Sequence, residues 1–240
     1  MWSASASTGA LAADVCKQAV DWSPLWLSLE IAALSTLVTL VAGTALSLVM
    51  AWRKLPARHL IDAVISAPLV LPPTVLGYYL LVLLGRGSPL GRAWEWLFGG
   101  PIVFTFTGAV IAAAVGSLPL VVRSIRLGID SVEPNLIAAA RTLGARPLRV
   151  IATVVLPLAA PGIIAGAMLG FARSLGDYGA TQMVVASRVD GTPPASIYVM
   201  EQLNLNCDHH VFAMSIATSI AGVTLLYLAN RLTHRLQQRV

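Results

Sequence analysis

Charge is what this sequence has least of. Of its 240 residues, 11% are Asp, Glu, Lys or Arg, 57% are hydrophobic, and the mean hydropathy is +0.77. A water-soluble domain carries about 25% charged residues, so a soluble fold is excluded. Lysine is nearly absent. Lys17 and Lys54 are the two, so the net charge of +5 and the pI near 9.7 rest on arginines scattered between apolar blocks. Nucleic-acid binding needs a clustered basic face, so no nucleic-acid partner is expected. The two cysteines, Cys16 and Cys207, are too few for a disulfide scaffold and lack zinc-type spacing. Neither lysine sits in a Gly-x-x-x-x-Gly-Lys-Ser/Thr loop, so the chain cannot cradle ATP phosphates in the P-loop manner. The adjacent residues Cys207, Asp208, His209 and His210 cannot all turn toward one ion, so no metal and no other cofactor is expected.

Long uncharged runs take the place of charge. They cover 31–52, 63–85, 96–122 and 150–172, and a fifth covers 211–230. Their lengths of 22, 23, 27, 23 and 20 residues suffice for a helix to cross about 30 Å of hydrocarbon. The stretches 178–187 and 191–200 hold ten residues each, too few to cross. With Gly176, Gly179, Gly191, Pro193 and Pro194 around them, they predict a re-entrant or broken segment. The fold class is therefore all-α and integral to the membrane, with five transmembrane helices plus that segment. Residues 1–24 form a lead-in, 25–232 the membrane domain and 233–240 a tail. No apolar core of signal-peptide length precedes Asp21, so the lead-in is not expected to be cleaved. No short-period or inverted repeat is found.

Positive charge gives the orientation. With the N-terminus outside, eleven of the sixteen basic residues fall on the inner loops and tail, among them Arg53, Lys54, Arg123, Arg126, Arg141 and Arg239. Eight of the eleven acidic residues then fall outside, as the positive-inside rule requires. The C-terminus and the loop 123–149 are cytoplasmic. Cys16 and Cys207 share the outer side, where an oxidising compartment would let them pair.

The cytoplasmic loop is helical in composition but too polar for lipid. Pro134 suits the first position of a short helix, Gly144 the left-handed residue that ends it, and Pro147 the start of another. Leu136, Ile137, Ala140 and Leu143 recur at helical spacing as an apolar ridge flanked by Arg141 and Arg146. Such a helix can dock on a partner, helped by the small residues Ala138, Ala139 and Ala140, or rest on lipid headgroups. Periodicity does not choose between these.

A resemblance does choose. Ala138-Ala139-Ala140-Arg141-Thr142-Leu143-Gly144-Ala145, with Leu156-Pro157 twelve residues after Gly144, resembles the coupling-loop signature of permease subunits of binding-protein-dependent ABC importers. The block from Ala67 to Leu81, the pair Gly85-Arg86 and the block from Phe171 to Thr181 are similar to the molybdate permease subfamily, in ordered blocks over 25–232. Sulfate and thiosulfate permeases share the pattern of the fourth span. The resemblance implies an ABC importer permease fold and a cytoplasmic coupling helix within 128–149. It implies a second permease subunit, two ABC ATPase subunits and an external molybdate-binding protein. The location implied is the bacterial cytoplasmic membrane. Where the family usually has Glu, this chain has Ala138, so no salt bridge is available from that position.

The expected pathway and gate residues are Pro72, Pro73, Arg173, Ser174, Asp177, Tyr178 and Thr181. Pro68, Pro72 and Pro73 lack amide donors and should bend the second span, as a packing kink or toward a pathway. Arg173 and Asp177 lie four apart at the end of the fourth span. An ion pair that pins the helix end is favoured there over an oxyanion ligand. Gly162, Gly166 and Gly170 at strict four-residue spacing make a groove for close helix packing, within the chain or between subunits. The five cores lack Asp, Glu, Lys, Arg and His, which argues against an ion-coupled transporter or channel. An integral membrane enzyme would need clustered polar groups, and Asp208 with His209 is a thin candidate.

Overall fold

Eleven helices account for nearly all of the residues described by the computed structural model, which are 16–52, 58–186, 188–189 and 191–237. In chain order they are α1 (Ser23–Trp52), α2 (Arg58–Val70), α3 (Pro73–Leu84), α4 (Pro89–Phe98), α5 (Phe106–Asp130) and α6 (Pro134–Thr142). They continue with α7 (Pro147–Leu158), α8 (Ala160–Leu175), α9 (Gly179–Val185), α10 (Ala195–Asn204) and α11 (Asp208–Gln237). Among the described residues the single β pairing is an isolated bridge, Val189 to Thr192. The expectations for 1–15, for Arg53 and Lys54 and for Arg239 lie outside the described residues.

Among the described residues three helices are long and apolar enough to cross a membrane by themselves, α1, α5 and α11. Two bent pairs bring the number to as many as five: α2 with α3, bent by 115°, and α7 with α8, bent by 67°. The first bend falls where Pro72 and Pro73 interrupt the amide ladder, and α3 restarts with Leu76 N–H donating to the Pro72 carbonyl at 3.0 Å. In α7 the turn Ile151–Val155 is π-helical, and Pro157 and Pro161 flank the break at Ala159. The two stretches expected to be re-entrant are the short helices α9 and α10, neither long enough to cross.

Three boundaries differ from those drawn on uncharged runs. The third span does not begin at Trp96. Ser88 caps a separate helix, α4, by accepting from Gly91 N–H at 2.8 Å, and Gly99 ends it in the left-handed region at φ +76°. The span starts at Phe106, capped by Thr105, and runs on to Asp130 through residues assigned to the loop. The last helix likewise outruns the uncharged run 211–230, extending from Asp208 to Gln237.

The core sits on α5, whose apolar window is 72% buried against 6% for α11. One side of α5 meets α1 along small residues. A Cβ on Gly43 would lie 3.3 Å from Val121 Cγ1, and Ser47 Oγ donates to the Val122 carbonyl at 3.3 Å. The buried hydroxyls of Ser35, Thr36 and Thr39 bond to the backbone of α1 itself, as in Thr39 Oγ1 to Ser35 O at 2.9 Å, so they are not left unsatisfied in an apolar layer. A disulfide joins Cys16 to Cys207, 191 positions apart in sequence, with a Cα to Cα distance of 5.3 Å.

Candidate functional site

The elbow between α5 and α7 is built by its terminators. Pro134 opens α6, Gly144 stands at φ +80°, and Pro147 opens α7. The turn is closed by Gly144 N–H to Arg141 O at 3.0 Å and Ala145 N–H to Ala140 O at 3.1 Å. The expected ridge does not form one face. Ile137, Ala140 and Ala145 pack inward against Val121, Ile125, Ile129, Val150, Val155 and Ala159. Leu143 is 88% exposed, Leu136 is exposed as well, and so are Ala138, Ala139, Arg141 and Gly144. Helical spacing aligns residues, but the ends of α5 and α7 decide which of them turn inward. The elbow thus has an inner face seated on the π turn of α7 and an outer face of small residues around a projecting leucine. Leu156 and Pro157 stand at the far end of that turn, partly buried and exposed respectively, next to the bend.

The glycine stripe packs within the chain. A Cβ on Gly162 would lie 2.6 Å from Gly128 Cα, one on Gly166 3.3 Å from the Val121 carbonyl oxygen, and one on Gly170 2.7 Å from Val121 Cγ2. All three partners belong to α5. Ser124 Oγ also donates to the Gly162 carbonyl at 3.0 Å. Close backbone approach with a hydroxyl bridge is how helices adhere in lipid, where the hydrophobic effect does not drive them together.

The C-terminal end of α8 carries the expected ion pair. Arg173 Nη1 donates to Asp177 Oδ1 at 2.9 Å, and the Asp177 side chain is 3% exposed against 27% for Arg173. The other carboxylate oxygen, Oδ2, accepts from Thr181 N–H and Thr181 Oγ1, both at 2.9 Å, and so caps α9. The Asp177 carbonyl accepts from Ser196 Oγ at 2.9 Å, which ties in α10. Asp177 is therefore the node joining α8, α9 and α10, with its charge fully partnered. Ser174 Oγ lies 3.5 Å from the Ala113 carbonyl of α5. Tyr178 is 37% exposed and takes no part in the node.

Pro73 reaches the same place from α3. A Cβ on Gly179 would lie 2.8 Å from Pro73 Cβ, and one on Gly77 2.8 Å from Ala180 Cα. So the bend after α2 and the segment after α8 are wedged together, and Pro73, Arg173, Ser174, Asp177 and Thr181 share one junction, while Pro72 lies exposed beside it. Gly77 and Ser196 are not expected at this junction from sequence, and Gly179 is expected only as part of the re-entrant segment. Gly77 and Gly179 each sit beside a tyrosine in an apolar stretch, a pattern of close approach that has no period to reveal it. Around the node Ser28, Ser174, Asp177, Thr181 and Ser196 line a small polar cavity.

Residues 43–240 match the family described as binding-protein-dependent transport system inner membrane component. The chain is 45% identical over 186 residues to the molybdenum transport system permease protein ModB of Escherichia coli K12, covering 76% of this chain and 80% of that protein. It is 38% identical over 225 residues to ModB of Haemophilus influenzae, covering 92% and 97%. The sulfate transport system permease protein CysT of Escherichia coli K12 is 31% identical over 238 residues, covering 92% and 84%. Among solved structures, the inward-facing MetNI methionine ABC transporter superposes with a TM-score of 0.66 at 16% identity, covering 88% of this chain and 93% of that one. At that identity the likeness is one of fold.

Proposed function

The chain belongs to the family of binding-protein-dependent transport system inner membrane components, and from that premise we infer that it is the permease subunit of an ABC importer that carries molybdate across the cytoplasmic membrane. The observation that carries the substrate is the 38% identity to a molybdenum permease over 92% of this chain, against 31% to the sulfate permease over the same share. Subunits of this family work with an ATPase and a binding protein, and they are not enzymes themselves. In this reading the assembly holds two copies of the chain, two ATPase subunits and an external molybdate-binding protein. The N-terminus lies outside and the C-terminus in the cytoplasm.

Each part of the geometry has a role in that cycle. Ala138, Ala139, Arg141, Leu143 and Gly144 present the elbow to a groove of the ATPase. Ile137, Ala140 and Ala145 carry its displacement to Val150, Val155 and Ala159, beside the 67° bend that Leu156 and Pro157 precede. Nucleotide and the loaded binding protein shift the equilibrium between inward and outward openings through their differential affinity for the two states. At the outer end the Arg173–Asp177–Thr181 node, wedged by Pro73, holds the segment α9–α10 that gates the path. With Asp177 neutralising Arg173, an oxyanion finds polarity there without a trap, as transit requires.

The test is to co-express the chain with its ATPase and measure ATP turnover in proteoliposomes. Molybdate-loaded binding protein is expected to raise turnover above the sulfate-loaded control. A larger response to sulfate sinks the substrate assignment, and no response to either sinks the importer reading.

A further inference from the structure

We propose that Cys16 and Cys207 form a permanent external staple, which closes the outer face after the last loop has been translocated and holds the gate segment against the lead-in. The claim goes beyond transport, and it rests on the outward placement of the N-terminus given above.

The staple secures contacts that exist without it. Ala195, Tyr198 and Met214 form a buried cluster, and Val20 and Leu25 pack against it from the lead-in and the start of α1. Asp21 fixes the entry to α1 by accepting from Ser23 N–H at 2.9 Å and from Ser23 Oγ at 2.8 Å. On the other side, Cys207 sits in the turn between α10 and α11. Its N–H donates to the Gln202 carbonyl at 3.0 Å, and its carbonyl accepts from His210 N–H at 3.0 Å. Tyr198 Oη and His210 Nδ1, 2.8 Å apart, tie the same two helices together. The Cα separation of 5.3 Å lies within the range a disulfide spans without backbone movement.

Burial and spacing give the order of events. In the linked state Cys207 is 2% exposed and Cys16 half-buried, so α10 and α11 shield one side of the bond once they have packed. The 191 positions between the two cysteines mean that the bond cannot form until the final outer loop is across. Both thiols then give their hydrogens to a disulfide-bonded oxidoreductase outside the membrane. A thiolate attacks the donor disulfide, the second thiolate resolves the mixed disulfide, and the donor leaves as a dithiol. With two cysteines in the chain no mispairing within one molecule is possible. Since α10 is held at its start by Ala195 N–H to Ser28 Oγ at 2.7 Å and by Ser196 to Asp177, the staple fixes its other end. With α9 held by Asp177 and wedged against α3, the movable part of the gate is thereby confined to the turn around Val189 and Thr192.

Full-length protein in native membranes, acid-quenched and denatured, is treated with a maleimide-polyethylene glycol before and after reduction. The expected result is no added mass before and two additions after; two additions before reduction overturn the proposal. Melting of the purified chain gives the second arm. Cys16→Ser and Cys207→Ser should each lower the melting point as far as the double variant does, and reductant applied to unfolded then refolded wild type should give the same shift. Variants that melt with the wild type overturn the staple even if the bond forms. Neither readout involves the transported ion, so failure here is distinguishable from failure of the importer reading.

Discussion

Alanine at Gly162 gives the sharpest test of how the membrane core is held. A Cβ there would lie 2.6 Å from Gly128 Cα and 2.9 Å from both Gly128 N and the Ser124 carbonyl oxygen. All three are backbone atoms, which no rotamer change can move aside. Ordinary contact begins at 3.4 Å, so α8 must retreat from α5 by about 0.8 Å at this point. Overpacking of this kind costs about 1–3 kcal/mol. Stretching the Ser124 to Gly162 hydrogen bond adds about 0.5–1.5 kcal/mol. For a chain of this size each kcal/mol lowers the melting point by about 2–4 °C, so Gly162→Ala should melt about 5–15 °C below wild type. The stripe makes its own control series. Gly170→Ala meets a Val121 side-chain methyl at 2.7 Å rather than backbone, Gly166→Ala meets its nearest atom at 3.3 Å, and Gly176→Ala meets nothing closer than 3.5 Å. The expected order of loss is Gly162, then Gly170, then Gly166, with Gly176 near wild type. Thermal unfolding followed by tryptophan fluorescence in detergent measures the series, and size-exclusion chromatography with light scattering reports the assembly. Equal melting of Gly162→Ala and Gly176→Ala would refute the intrachain packing. So would a series that left melting unchanged but dissociated a dimer.

Two further outcomes follow from the site. Gly144→Val places a β-branched residue at φ +80°, a strain of about 1–2 kcal/mol that unwinds the elbow. Membrane insertion should persist while ATP-driven uptake in vesicles is lost, and uptake at the wild-type rate removes the elbow from the mechanism. Asp177→Asn leaves one acceptor for three donors that now converge on two oxygens, with Arg173 unneutralised, and should cost about 2–4 kcal/mol. In a cycle of melting curves with Arg173→Gln, the two changes should be non-additive by more than about 1 kcal/mol; additivity to within about 0.5 kcal/mol shows the pair to be incidental.

Much of this fold is legible in residue order because lipid penalises charge so heavily. Runs without charge marked α1 and α11 directly, and the prolines at 72 and 73 marked the first bend. The elbow was legible through its terminators, since Pro134, Gly144 and Pro147 have few other uses at those positions. Counting charge failed at α4, because Trp96, Leu97 and Phe98 are as uncharged as a span. The Ser88 cap and the left-handed Gly99 separate them from it. Periodicity failed at the ridge, since it aligns Ile137 with Leu143 without knowing that Val150 and Val155 lie beneath only the former. For the same reason the stripe at 162, 166 and 170 announced a close neighbour but not which one. The Asp177 node needed Thr181 and Ser196 from separate helices, a convergence that linear spacing does not encode.

The link between Cys16 and Cys207 also changes what kind of object the polypeptide is. Everything from the entry of α1 to the turn before α11 is a closed covalent circle, with α11 as an appendage. A protease that nicks any loop within that circle opens it without yielding separate pieces, so both parts migrate together until a reducing agent is added. One cut in an exposed loop would therefore leave the permease in one piece, whereas a second cut within the circle would release the segment between the two.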